Sequence, residues 1–155
     1  MPEMQAPTQI EIKSLGDYLE VMSKAVFQTG ISWKVVESKW PQLREAMRNF
    51  DIDSVATRST DDLEELAQYT RVIRNRCKLA AIVHNARQII DLDEEHSGFA
   101  NYLRSTGSYE LTVKDLRKQF KFIGEISCYY FRYVVGENVP SHQDWLKSRE
   151  AQHRR

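Results

Sequence analysis

Apolar residues along this chain recur at three- and four-residue intervals. Leu15, Leu19, Met22 and Val26 form one stripe, and Leu63, Leu66 and Ala67 form a second. Leu79, Ile82, Val83, Ala86, Ile89 and Ile90 make the longest face and predict a helix from about Asn75 to Leu92. Ile126, Tyr129, Tyr130, Tyr133 and Val134 predict another, closed by Gly136 as its C-terminal cap. Helix starts are marked by Ser14 with Asp17, Ser59 with Asp62, Thr112 with Asp115 and Ser141 with Asp144. In each pair the hydroxyl can accept an orphan backbone amide while the carboxylate favours the positive end of the helix dipole. Pro41 sits where a further helix can begin, because its missing amide costs nothing in a first turn. No useful alternating strand and no internal repeat is present. The pattern predicts an all-α domain of about eight to ten short helices. That single domain spans residues 13–155, behind a polar, proline-containing, flexible arm over residues 1–12.

The segment from Thr112 to Gly136 reads as two helices joined by Phe120-Lys121-Phe122-Ile123-Gly124. The two aromatics and Ile123 are expected to fold inward and lock the turn. Gly124 lets a partner come close to the mouth of the second helix, where unpaired amides and the dipole suit a phosphate beside Lys121. Glu125 opposes this in part. An ordinary helix-turn-helix corner is the alternative reading of the same residues.

Composition narrows the picture only slightly. Charged residues are 28% and hydrophobic ones 41% of 155 residues, an ordinary globular mixture with a formal net charge of zero. No apolar run approaches the length of a membrane helix and no signal peptide pattern opens the chain, so a cytoplasmic protein is expected. Cys77 and Cys128 read as buried small hydrophobes rather than a disulfide. Charge is uneven, with Arg71, Arg74, Arg76 and Lys78 in one basic stretch and Lys114, Arg117, Lys118 and Lys121 in another. Such patches suit a face presented to phosphates, although a mixed solvated surface gives the same counts.

Three stretches in order resemble one family. Phe27-Gln28-Thr29-Gly30-Ile31-Ser32-Trp33 resembles the base-pocket segment of the DNA-3-methyladenine glycosylase I family. Val72 to Lys78, followed by Ala81-Ile82-Val83-His84-Asn85-Ala86-Arg87, resembles its central loop and helix. Phe120 to Gly124 with Cys128-Tyr129 is similar to its hairpin. The resemblance implies the all-α helix-hairpin-helix DNA glycosylase fold across roughly Leu15 to His142. It implies an enzyme that hydrolyses the N-glycosidic bond of alkylated purines in base-excision repair, on double-stranded DNA and as a monomer. An enzyme acting on a base must take it out of the stack and into a pocket. By the resemblance Trp33, Phe27 and Ile31 bind the base or fill its gap, while Gly30, Arg74, Arg76, Lys78, Lys121 and Gly124 meet the DNA backbone.

The match fails at two places. The resemblance puts a pocket carboxylate eight residues before the tryptophan, where this chain has Ala25, so no catalytic residue is assigned; Glu37 is a candidate substitute, and an exposed surface glutamate is the alternative reading of it. Glu37 follows Trp33 by four residues and therefore shares its helical face. The family's zinc site needs two cysteines and two histidines. Here His142 stands alone, Leu146 replaces a cysteine and nothing before Cys77 is Cys or His. No zinc, other metal or cofactor is expected. These departures keep two alternatives open, a non-catalytic helix-hairpin-helix DNA-binding module and a pocket repurposed for a ligand or protein partner.

Overall fold

A computed structural model describes residues 9–28, 32–68, 76–137 and 139–153; the side chains of Trp33, Thr60, Ala67 and residues 150–153 are not described. The expected flexible arm falls mostly on residues 1–8, outside the described residues. Its last part is tied down: the Ile10 amide donates to the Val134 carbonyl (2.9 Å) and Gln9 Nε2 donates to the Tyr133 carbonyl (3.0 Å).

The described chain forms α1 (Leu15–Gln28), α2 (Trp33–Ala46), a short 3-10 turn (Arg48–Phe50), α3 (Ile52–Ala56) and α4 (Thr60–Gln68). It continues through α5 (Arg76–His96), α6 (Phe99–Arg104), α7 (Tyr109–Gln119), α8 (Glu125–Val134) and α9 (His142–His153). No strand occurs among the described residues, as the all-α reading expects. The long helix α5 is the centre, flanked by α1, α3, α4 and α6, while α1 also packs along α8. One hydrophobic core joins these helices, with Leu19, Met22, Leu79, Ile89 and Phe131 fully buried. Where α1 meets the 3-10 turn, a Cβ on Gly16 would run into the Phe50 carbonyl oxygen, so only glycine fits.

Three of the four predicted starts are built as the spacing suggests. Asp17 accepts from the Lys13 and Ser14 amides (2.7 and 3.2 Å). Ser59 and Asp62 cap each other reciprocally, and Ser141 accepts from the Asp144 amide. Thr112 is a correction: Gly107, at φ +83°, turns the chain one turn earlier and Ser108 caps α7 through the Leu111 amide. Thr112 then lies inside the helix, buried, with its hydroxyl on the Ser108 carbonyl. Pro41 is a second correction. Helix α2 runs straight through it, held on either side by buried Trp40 and Leu43. Cys128 is buried as expected, but Cys77 is exposed in the first turn of α5.

At the C-terminus, α9 is anchored by rings. Trp145 stacks on Tyr129 with centroids 4.1 Å apart and planes 5° from parallel. Tyr129 donates to the Pro140 carbonyl (2.8 Å), and Tyr130 Oη lies 3.0 Å from His142 Nε2.

Candidate nucleic-acid interface and base cavity

The connection from α7 to α8 is held from beneath by one polar side chain. Asn85, on α5 and 1% exposed, donates through Nδ2 to the Lys121 carbonyl (3.2 Å) and accepts the Lys121 amide at Oδ1 (2.9 Å). This pair of hydrogen bonds fixes the backbone of a residue 36 positions away in sequence. Phe120 and Ile123 turn into the core as expected. Phe122 does not: its φ is +58° and it is 52% exposed. The left-handed backbone at Phe122, directly after the clamped Lys121, carries its ring outward.

Gly124 is the N-cap of α8, extended and without a side chain over the helix mouth. A Cβ there would meet nothing within 4 Å, so the space outside the first turn is open. Lys121 beside it is exposed, and so is Glu125. One turn into α8, buried Ser127 donates to the Ala25 carbonyl (3.4 Å). The hairpin mouth therefore adjoins the C-terminal end of α1, from which the chain leads into Thr29, Gly30 and Ile31. The N-terminus of α5 meets the same end of α1, since Lys78 Nζ lies 5.9 Å from the Phe27 ring centre.

Between α1, α2 and α8 lies a cavity of about 500 Å³, which reaches Ala25 and Gln28 near the end of α1. Ala25, Lys24, Glu20, Glu37, Trp40 and Tyr130 are among its lining residues. Trp40 stacks on Phe50 (5.6 Å, 11°) and donates its indole N–H to Glu20 Oε2 (2.9 Å). Arg44 Nε lies 3.3 Å from the same oxygen. Lys24 Nζ pairs with Glu37 Oε1 at 2.8 Å and stands 5.7 Å from the Trp40 ring centre. An aromatic wall with two carboxylates at its edge can hold a flat, positively charged ring.

The expected site residues separate into three groups. Ala25 and Glu37 share the cavity, and Lys121 and Gly124 form the hairpin mouth. Phe27 and Lys78 depart from their expected roles. Phe27 has no exposed surface and packs edge-on against Trp40 (6.3 Å, 72°), so it has no free face for a base. Lys78 is buried beside it rather than exposed, and loss of solvent lowers its pKa. Arg76 is exposed and paired with Glu64 (3.1 Å). Gly30, Ile31 and Arg74 lie outside the described residues, as does the side chain of Trp33, whose backbone opens α2. Ser32 occupies the N-cap of α2 without a side-chain cap bond.

Sequence reasoning passed over Asn85 as a clamp and Glu20, Lys24 and Trp40 as cavity lining. Asn85 left one signal, a polar residue between Ile82 and Ala86 on an otherwise apolar face. The cavity residues left none, because their proximity depends on how α1 crosses α2.

Among the described residues, His142 is not arranged as a zinc ligand. The His142 ring is stacked beside Trp145 and its Nε2 faces the Tyr130 hydroxyl. Among the described residues, no three His, Cys, Asp or Glu side chains converge to hold a metal ion, and no helix is long and apolar enough to cross a membrane.

Residues 16–114 match the family model described as methyladenine glycosylase. The DNA-3-methyladenine glycosylase of Haemophilus influenzae is 28% identical over 130 residues, which cover 70% of this chain and 70% of that protein. DNA-3-methyladenine glycosylase 1 of Escherichia coli is 29% identical over the same length and shares. A crystal structure of 3-methyladenine DNA glycosylase I superposes with a TM-score of 0.69 at 27% identity, over 86% of this chain and 82% of that one. That coverage is longer than the 16–114 family match. Sequence, fold and the clustered hairpin mouth and cavity thus agree, and the chain belongs to the methyladenine glycosylase family.

Proposed function

We propose that this chain is a DNA N-glycosylase that removes an N3-methylated purine from duplex DNA, acting as a monomer. The observation that carries the reading is the Ser127–Ala25 bond, which sets the hairpin mouth against the rim of the cavity. A backbone phosphate seated at the α8 amides and Lys121 then leaves a flipped base close to the opening of α1 and α2. By the family resemblance, Trp33 is the base-stacking residue and Ile31 the gap-filling one, with Gly30, Arg74 and Arg76 assigned to the DNA backbone.

The chemistry suits a cavity without the usual acid. Methylation at N3 makes the purine cationic while it is still joined to the sugar, so the glycosidic bond is already weakened. The C1′–N9 bond breaks, its electron pair returns to the purine, and the base leaves neutral. Water adds its oxygen to C1′ and releases a proton to solvent or to Glu37. The chain's own task is to orient the base and stabilise positive charge on the ring and sugar. Replacing a buried carboxylate by Ala25 forgoes about 1.5–3 kcal/mol of charge-assisted bonding, one to two decades in rate.

Ala25 also favours a second reading, in which the chain grips damaged DNA without cutting it. Release of free 3-methyladenine from methylated duplex separates the two. The glycosylase reading predicts release in proportion to enzyme and time. Duplex binding with no release above a boiled control would leave only the second.

A further inference from the structure

We infer that Lys24 is a specificity-determining residue, a built-in cation that occupies the seat of the charged purine and must be displaced by it. This rests on the proposed base-binding role of the cavity. Two features of that seat suit a flat cation: the Glu37 carboxylate and the face of the Trp40 indole. Both are engaged by the Lys24 ammonium, at 2.8 Å from the carboxylate and 5.7 Å from the ring centre. The second carboxylate, Glu20, is committed to the Trp40 N–H and to Arg44. Resting charge in the cavity is therefore balanced, Lys24 against Glu37 and Arg44 against Glu20.

A neutral purine gains little by entering, because it cannot replace the ammonium at Glu37. A cationic purine can take over both contacts while Lys24 swings its head into water on its flexible stem. Lys24 is one-third exposed, so the swing needs no repacking of the core. The ammonium thus competes for the two contacts that a charged ring uses, and it weakens cation binding while a neutral ring, which makes neither contact in full, is little affected. Neighbouring Ala25 lines the same cavity with only a methyl group.

The test uses the whole chain and a matched pair of small ligands. One is 3,9-dimethyladeninium, whose two alkylated ring nitrogens keep it cationic, and the other is neutral 9-methyladenine. Calorimetric titration at fixed ionic strength compares wild type, Lys24→Met and Glu37→Gln. Lys24→Met keeps the stem and removes the charge. It is expected to tighten the cation about fivefold, the combined worth of a partly exposed ion pair and a cation–π contact, and to change the neutral ligand less than twofold. Glu37→Gln is expected to abolish the preference for the cation. Unchanged or weaker cation binding by Lys24→Met overturns the inference, as does equal tightening of both ligands. Thermal melting of each variant guards against misfolding, and a misfolded Lys24→Met is replaced by Lys24→Gln with the same expectation. Absence of binding by every variant overturns the inference, whereas the proposed activity fails only if base release from DNA is absent too.

Discussion

Removing the Asn85 side chain tests how the hairpin is held. Asn85→Ala deletes two hydrogen bonds of ordinary length to the Lys121 peptide and opens a small void beside a core position. Each bond contributes about 1 kcal/mol net, and the void adds a fraction more, for a loss of about 2–3 kcal/mol. For a chain of this size that lowers the thermal midpoint by about 4–12 °C. The functional effect should exceed the loss of stability. Freed from its clamp, the backbone at Lys121 is no longer held to α5, and the α8 amides that follow lose their fixed approach. Duplex affinity should fall about tenfold, the worth of one charge-assisted bond. Asn85→Leu keeps the volume and deletes only the polar clamp. It should recover much of the midpoint while binding duplex as weakly as Asn85→Ala. Scanning calorimetry and fluorescence anisotropy with a short duplex supply the two readouts. An Asn85→Leu protein that binds duplex like wild type would refute the clamp.

Further outcomes follow from the same structure. Lys121→Ala should lower duplex affinity and flatten its dependence on salt by about one unit of log–log slope, read from anisotropy titrations across ionic strengths. Trp145→Ala removes the partner stacked on Tyr129 and should cost about 3 kcal/mol, while dialysis against a zinc chelator should leave the wild-type melting curve unchanged. Burial pushes the Cys128 thiol up to about 12, and the unfolded chain has the lower pKa. The unfolded state therefore releases this proton first: the stabilisation is complete below about pH 8.5 and is lost as pH rises toward 12, measurable as a falling urea midpoint. Under native conditions iodoacetamide should add once per chain, at Cys77, and twice after denaturation, counted by mass spectrometry.

Local physics was legible wherever a single helix decides it. The stripes at Leu15–Val26 and Leu79–Ile90, the Ser59–Asp62 box and the stop at Gly136 each depend on residues within a few turns. The failures are places where tertiary contact overrides a local signal. Thr112 and Asp115 have cap spacing, yet Asp115 instead accepts from the Tyr102 hydroxyl across to α6. Pro41 is tolerated in mid-helix because buried Trp40 and Leu43 hold α2 on both sides of it. Phe122 turns outward on a left-handed backbone directly after the Lys121 that Asn85 holds from α5. The resemblance located the hairpin and Ala25, but it assigned Phe27 to the base when packing against Trp40 hides it. The Lys24–Glu37–Trp40 seat could not be read from spacing, since it joins two helices whose crossing sets all its distances.

Hydrogen exchange on the whole chain, with and without a methylated duplex, addresses the shared surface that underlies the proposed activity. A common footprint should slow exchange together at residues 121–127 and at residues 24–28, and high salt should abolish both effects in parallel. Protection of the hairpin alone, with the end of α1 exchanging as in the free protein, would contradict the assignment of this cavity to the flipped base.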